Sequence, residues 1–318
     1  MLGAGLVRSL LVRGDEVTVL QRRRSGLPCR EVLGDVADAR VVAAAVDGQD
    51  AVAHLAAKVH VVGAERDFVR VNVEGTRNVV RASARAASVN RLVQVSTPSV
   101  AHTGSALVGV GAGPADPVRA QGHYARTKAL AEQIALDADQ NDLAVVAIRP
   151  HLVWGPGDTQ LVGRIVERAR SGRLALVGSG AALIDTTYVD NAVDALVHAL
   201  DRAPAVHGEA LVVSNGEPRT VEELLTCICT AAGAAAPHRH VPRAVAWTAG
   251  ALAEGVWSAF RLAGDPPMTR FLATQLGTAH WFDQRRTREL LEWQPTVSLD
   301  EGLRRLAASY ARPPAEAD

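Results

Sequence analysis

Lysine is almost missing from this 318-residue chain: only Lys58 and Lys128 occur among its 34 basic residues, and the rest are arginine. Cysteine is nearly as sparse. Cys29, Cys227 and Cys229 are too few for a disulfide framework, and no second Cys-x-Cys pair or nearby histidine completes a zinc site. A reducing compartment and no metal are therefore expected. Neither sign of charge is in excess, because 34 acidic residues balance the 34 basic ones, so no global field draws the chain to nucleic acid or anionic lipid. Apolar runs stop short of the roughly 20 residues that a membrane span needs, and no leader pattern is visible. What remains is ordinary. With 48% hydrophobic and 21% charged residues the chain can bury a large core, as one large domain or two smaller ones, and a cytoplasmic location is expected.

The first half alternates between strand and helix patterns. Short apolar runs rich in β-branched residues fall at Val17 to Leu20, Ala51 to Leu55, Arg91 to Val95 and Ala144 to Ile148, with helical patterns at Val71 to Ala87 and Tyr124 to Asp139. This spacing predicts an α/β fold, a doubly wound parallel sheet covered on both faces. Past Pro150 the texture changes at the turn cluster Trp154-Gly155-Pro156-Gly157-Asp158. The expected division is residues 1–150 as a dinucleotide-binding domain and 151–318 as a smaller substrate domain. The strand pattern Ala210 to Val213 predicts that a stretch of about 186–215 returns to the sheet, interleaving the two. Ala315 to Asp318 reads as a frayed polar tail.

Aromatic residues are few and uneven. Seven of the twelve lie between Trp247 and Trp293, which reads either as a small C-terminal core or as an apolar substrate pocket or lid. Within that stretch Val245 to Leu262 carries only Glu254 and Arg261 as charges, a pattern that also suits a helix lying on a membrane surface, at its inner face.

At the N-terminus a helix pattern begins at a glycine, Gly3, followed by a strand ending at Gln21. In a dinucleotide-binding βαβ unit a glycine-rich turn sets the pyrophosphate on a helix N-terminus, where free backbone N–H groups point at it. Gly3 fits the last glycine of such a turn, whose earlier glycines and preceding strand are expected upstream of Met1. Gln21 is followed by Arg22-Arg23-Arg24, where a carboxylate would instead favour the ribose hydroxyl of NAD. Guanidinium groups suit a 2′-phosphate, so NADP(H) is favoured over NAD(H).

Tyr124 and Lys128 are the sharpest feature. With three tyrosines and two lysines in the chain, chance gives about 0.02 pairs at the four-residue offset that shares a helix face. A lysine ammonium one turn away favours the phenolate and is expected to lower the tyrosine pKa toward the working range of an acid/base. Upstream, the strand ending at Val95 runs into Ser96, Thr97 and Ser99, three hydroxyls among which spacing does not choose.

These residues, with Gly34-Asp35, His54-Leu55-Ala56-Ala57, Asn72 to Thr76, Arg149-Pro150, Tyr188-Val189-Asp190 and Trp293-Gln294-Pro295, resemble the extended short-chain dehydrogenase/reductases along essentially the whole chain. Within that group the chain is most similar to the 3β-hydroxysteroid dehydrogenase branch, and there to the bacterial reductases of long-chain olefin biosynthesis. The resemblance implies a Rossmann sheet with Tyr124 as general acid/base, Lys128 binding the nicotinamide ribose and Thr97 orienting the carbonyl. It also implies that Asp35 contacts adenine, that Ala56 and Ala57 line the cofactor channel, and that Pro150 and Leu152 pack against the nicotinamide. Gln21 holds the position that is acidic in NAD-preferring relatives.

The expected activity is NADPH-dependent reduction of the 3-keto group of a long-chain 2-alkyl-3-oxoalkanoate. The alternatives are oxidation of a 3β-hydroxysteroid with NAD, an epimerase or dehydratase activity, and a non-catalytic dinucleotide sensor or scaffold. Expected partners are a small apolar substrate (a long-chain β-keto acid or a sterol-like molecule), a second copy in a homodimer and other enzymes of olefin biosynthesis. Lys58 follows the Ala-Ala run and reads equally as a contact to cofactor or substrate and as a surface residue.

Overall fold

The computed structural model describes residues 1–59, 63–260, 262, 264 and 266–311. Its centre is a four-stranded parallel sheet in the order Ala210–Val213, Ala144–Pro150, Arg91–Val95, Ala51–His54. The two inner strands are built from apolar residues because both faces are covered: Leu92, Val93, Val145, Val146, Ala147 and Ile148 are all fully buried. A separate parallel pair joins Thr18–Gln21 to Arg30–Leu33. Among the described residues the strand Thr18–Gln21 pairs only with Arg30–Leu33, and Ala51–His54 only with Arg91–Val95. Leu20 and Val52 nevertheless pack on one apolar cluster, so the two strands flank the same core.

Helices cover both faces. On one side Leu2–Arg13 lies against Val189–Val206, and Leu6, Leu196, Leu200 and Trp293 seal the sheet. The approach is close enough that a Cβ on Gly5 would stand 2.7 Å from Val193 Cγ2, which is why a small residue is needed there. On the other side Ala39–Val46, Gly75–Arg85 and Gly122–Leu136 enclose Val42, Val79, Leu92 and Val145. The helix pattern beginning at Val71 is modified locally: Val69–Glu74 forms a wider π-helical turn ahead of Gly75–Arg85. Such turns are frequent at functional sites.

A second sheet, ordered Arg219–Thr220, Leu183–Ile184, His280–Phe282, Leu107–Val110, stands beyond the C-terminal ends of the main strands. The late aromatics do not gather into one pocket. Trp293 is buried under the main sheet, Phe282 packs on His151, and Trp247 and Phe260 are exposed. The long helix Arg243–Phe260 also leaves Val245, Leu252 and Val256 exposed. Arg261 and the tail Ala315 to Asp318 lie outside the described residues. Among the described residues no helix is long and apolar enough to cross a membrane, and no cluster of three His, Cys, Asp or Glu residues could hold a metal ion.

Candidate active site

Ligands of open α/β sheets bind in the crevice beyond the carboxyl ends of the strands. The strand Arg91–Val95 delivers Thr97 there, and Thr97 caps the short turn Pro98–Ala101 through the Ser99 N–H. The facing helix Gly122–Leu136 brings Tyr124, Lys128 and Glu132 to one face at successive turns. Tyr124 lies close enough to Thr97 for that hydroxyl to favour its phenolate, and the Thr97 hydroxyl is 3.1 Å from Ser99 Oγ. Of the three hydroxyls left open by spacing, Thr97 is thus the one on Tyr124, while Ser96 is buried with no partner for its Oγ among the described residues.

Lys128 is buried, and its Nζ donates to Val95 O at 2.6 Å. An ammonium carries three protons, so this one bond leaves donors free for ribose hydroxyls. Burial lowers Lys128 to about 8, with the Glu132 carboxylate pulling it back up. The lowered tyrosine pKa expected from the lysine is not what the geometry gives. Burial pushes Tyr124 up to about 12, with the Thr97 hydroxyl opposing it. Desolvation of the phenolate outweighs an ammonium that is directed at a backbone carbonyl instead. The phenol is therefore held protonated at neutral pH.

Arg149 underpins the same helix. Fully buried, it donates Nε to Glu132 Oε2 at 2.8 Å and Nη2 to Oε1 at 2.5 Å, and Nη1 reaches the carbonyls of Ala112 and Gly113. This two-pronged geometry is available to arginine and not to lysine. Asn72, also buried, ties the loop after Ala51–His54 to the catalytic helix: its Oδ1 accepts from Lys58 N–H at 2.7 Å and its Nδ2 donates to Thr127 Oγ1 at 3.0 Å. Buried His54 meets Thr76 Oγ1 at 3.0 Å. The sequence quotes both residues within motifs, but only the fold makes them brackets for the site.

The cofactor residues form a rim around this centre. The helix at Gly3 has no side-chain cap, leaving first-turn N–H groups available to an anion, and a Cβ on Gly3 would meet only Leu55, at 3.8 Å. Ala56 and Ala57 follow the strand Ala51–His54. Pro150 ends Ala144–Pro150, and Leu152 adopts φ +42°, a left-handed conformation rare for a leucine and of the kind held at functional sites. Gln21 is engaged with Glu31 at 3.0 Å, whereas Arg22, Arg23 and Arg24 are exposed beside it. Asp35 is occupied from two sides, by the Ala37 N–H at 2.9 Å and Arg70 at 2.8 Å. These bonds, with Arg22 nearby, hold its carboxyl below the usual range. The uncapped helix, the buried ammonium with spare donors and the exposed arginines together fit a nicotinamide dinucleotide.

A cluster that sequence reasoning missed lies behind Pro150. Ser96, His151 and Ser214 directly follow three adjacent parallel strands, and His151 packs edge-on to His280 with ring centroids 5.0 Å apart. His102, Asp185 and Gln284 complete it, and all three histidines are pushed below their ordinary pKa by burial. The three histidines are far apart in sequence, so no spacing announces them.

Comparison with known proteins agrees with this geometry. The sequence pattern of the 3-beta hydroxysteroid dehydrogenase/isomerase family matches residues 2–243. The chain is 45% identical over 326 aligned positions to 2-alkyl-3-oxoalkanoate reductase of Stenotrophomonas maltophilia, covering 98% of this chain and 96% of that one. It is 30% identical to human sterol-4-alpha-carboxylate 3-dehydrogenase, decarboxylating, across 97% of this chain and 88% of the relative. Among solved structures, the DesIV dTDP-glucose 4,6-dehydratase double mutant of Streptomyces venezuelae, with NAD and DAU bound, superposes with a TM-score of 0.74 at 24% identity over 97% of this chain and 93% of that one. That similarity shows the fold. The chain belongs to the 3-beta hydroxysteroid dehydrogenase/isomerase family and is an NAD(P)-dependent oxidoreductase.

Proposed function

We propose that this oxidoreductase uses NADPH to reduce the 3-keto group of a long-chain 2-alkyl-3-oxoalkanoate, giving the 2-alkyl-3-hydroxyalkanoate. The observation that carries the chemistry is the closeness of Tyr124 to the Thr97 hydroxyl, beside the buried Lys128. The name of the 45%-identical bacterial relative supports the substrate class.

A bound nicotinamide supplies the hydride. The remaining work falls to the chain. Thr97 and Tyr124 hold the carbonyl oxygen between two hydroxyls, and the protonated phenol passes its proton to that oxygen as negative charge develops on it. Lys128, charged below about pH 8, would hold the nicotinamide ribose with the donors its bond to Val95 O leaves free. In the reverse direction the same phenolate would take the proton of an alcohol. The exposed residues Val245, Leu252, Val256 and Phe260 support peripheral contact with a membrane, from which an apolar substrate could be drawn.

A side-by-side assay tests the assignment: turnover of a 2-alkyl-3-oxoalkanoate with NADPH is expected, and exclusive oxidation of a 3β-hydroxysteroid with NAD⁺ would overturn it. The cofactor preference is tested separately by Arg22→Ser. Loss of a charge-assisted contact to the 2′-phosphate is expected to weaken NADPH binding about 10- to 100-fold, with NADH affinity unchanged. The measurement is a tryptophan-fluorescence titration. Equal losses for both cofactors would remove Arg22 from phosphate recognition.

A further inference from the structure

We infer that Lys58 is the anchor for the substrate's carboxylate, on the rim of the cleft that holds Tyr124; this rests on the ketoreductase reading above. A 3-oxoalkanoate carries its carboxylate one carbon away from the reacting centre. A site that selects this acid over a neutral ketone therefore needs a cation close to the general acid.

Lys58 stands beyond the carboxyl end of the strand Ala51–His54, on the crevice side of the sheet. Its backbone is locked to the catalytic helix through Asn72, which bonds the Lys58 N–H and C=O at 2.7 and 3.2 Å and reaches Thr127 at 3.0 Å. Its ammonium lies 5.2 Å from the centre of the buried Phe68 ring. Phe68 in turn sits 6.0 Å from the ring of His123, the residue before Tyr124. Lysine's four-carbon arm is thus held against an apolar plate leading to the general acid.

The two cations on the catalytic helix have other work. Lys128 is directed at Val95 O, and Arg126 lies 3.0 Å from His123 Nδ1. Among the described residues the ion-pair partner of the Lys58 ammonium is Asp67, at a long 3.5 Å, and that side chain is 48% exposed. Such a pair is worth little in water, so a ligand carboxylate that is shielded on one side by Phe68 displaces Asp67 at small cost. Lysine, a point charge with rotatable donors, tolerates the varied geometry of acids with different chains.

The test uses the full chain with NADP⁺ and compares oxidation of a 2-alkyl-3-hydroxyalkanoic acid with that of its methyl ester. Wild type is expected to prefer the acid. Lys58→Gln is expected to raise KM for the acid about 10- to 100-fold, the effect of losing one charge-assisted contact, with kcat and the ester's parameters little changed. Lys58→Arg should restore most of the preference. A parallel loss on acid and ester, or no change on the acid, would overturn the anchor. Wild type that oxidises both compounds equally would do the same while leaving the ketoreductase reading intact. Wild type that oxidises neither would sink the reading and the anchor together. Should Lys58→Gln not fold, wild type decides alone: the acid's KM must rise with ionic strength and the ester's must not.

Discussion

Replacing Tyr124 by phenylalanine is expected to lower kcat for ketone reduction by about 10²- to 10⁴-fold, the usual worth of a positioned general acid. NADPH affinity and the thermal midpoint should stay close to wild type, because the ring remains and only its hydroxyl is lost. The hydroxyl lies close to Thr97 and stays protonated across the neutral range, burial having raised it to about 12. Without it, charge developing on the substrate oxygen meets only the weaker Thr97 donor. The pH profile of the wild type follows from the same geometry. No loss from tyrosine ionisation is expected near neutrality. A falling limb is expected near pH 8, where Lys128, its pKa lowered by burial, gives up the charge with which it would position the nicotinamide ribose. Single-turnover rates with saturating NADPH check both. A Tyr124→Phe protein that keeps more than about a tenth of the wild-type rate would rule out general acid catalysis by this residue and favour the non-catalytic sensor.

Rarity makes this pair legible in the sequence alone. A lysine four residues after a tyrosine, in a chain that otherwise uses arginine, has few accidental explanations. The parallel strands are legible for a different reason: burial on both faces forces continuous apolar runs such as Ala144 to Ile148. Arg22 and Gln21 can be placed because strand ends are fixed by local pattern. What stays hidden depends on residues brought together from afar. Nothing in the local sequence joins Arg149 to Glu132, or Asn72 to Lys58 and Thr127. The pKa of Tyr124 moves opposite to expectation for the same reason, since spacing reports the distance to Lys128 along a helix and carries no information on how much water reaches the phenol. The late aromatics show the converse error: grouped in one stretch of sequence, Trp247 and Trp293 end up on the surface and under the main sheet respectively.

The buried histidines are expected to cost this fold stability in mild acid. His54 is lowered from 6.5 to about 3 and His280 from 6.5 to about 4, while His151 lies well below its ordinary value. In each case burial is the main cause, because the imidazolium loses its hydration inside the protein. At pH 7.5 these groups are neutral in both the folded and the unfolded chain and contribute no pH dependence. As pH falls through 6.5 the unfolded chain takes up protons that the folded one refuses, so stability is lost on acidification. Each such histidine costs about 1.4 kcal/mol in total between pH 7.5 and 5.5, so three of them remove about 4 kcal/mol over that span. That is a large part of the roughly 5–15 kcal/mol that holds a typical domain folded. Asp185, raised by burial, works in the opposite direction and softens the slope. Depressed carboxylates such as Asp283, at about 2, titrate at still lower pH and stay outside the window. Urea unfolding followed by tryptophan fluorescence at the two pH values measures the difference. His280→Gln should shrink the difference between the two pH values by about 1.4 kcal/mol, whatever it costs at pH 7.5, because the refused proton is gone. A wild-type stability that stays level to pH 5.5 would mean that these imidazoles bind protons in the folded state, and that the crevice behind Pro150 is open to water.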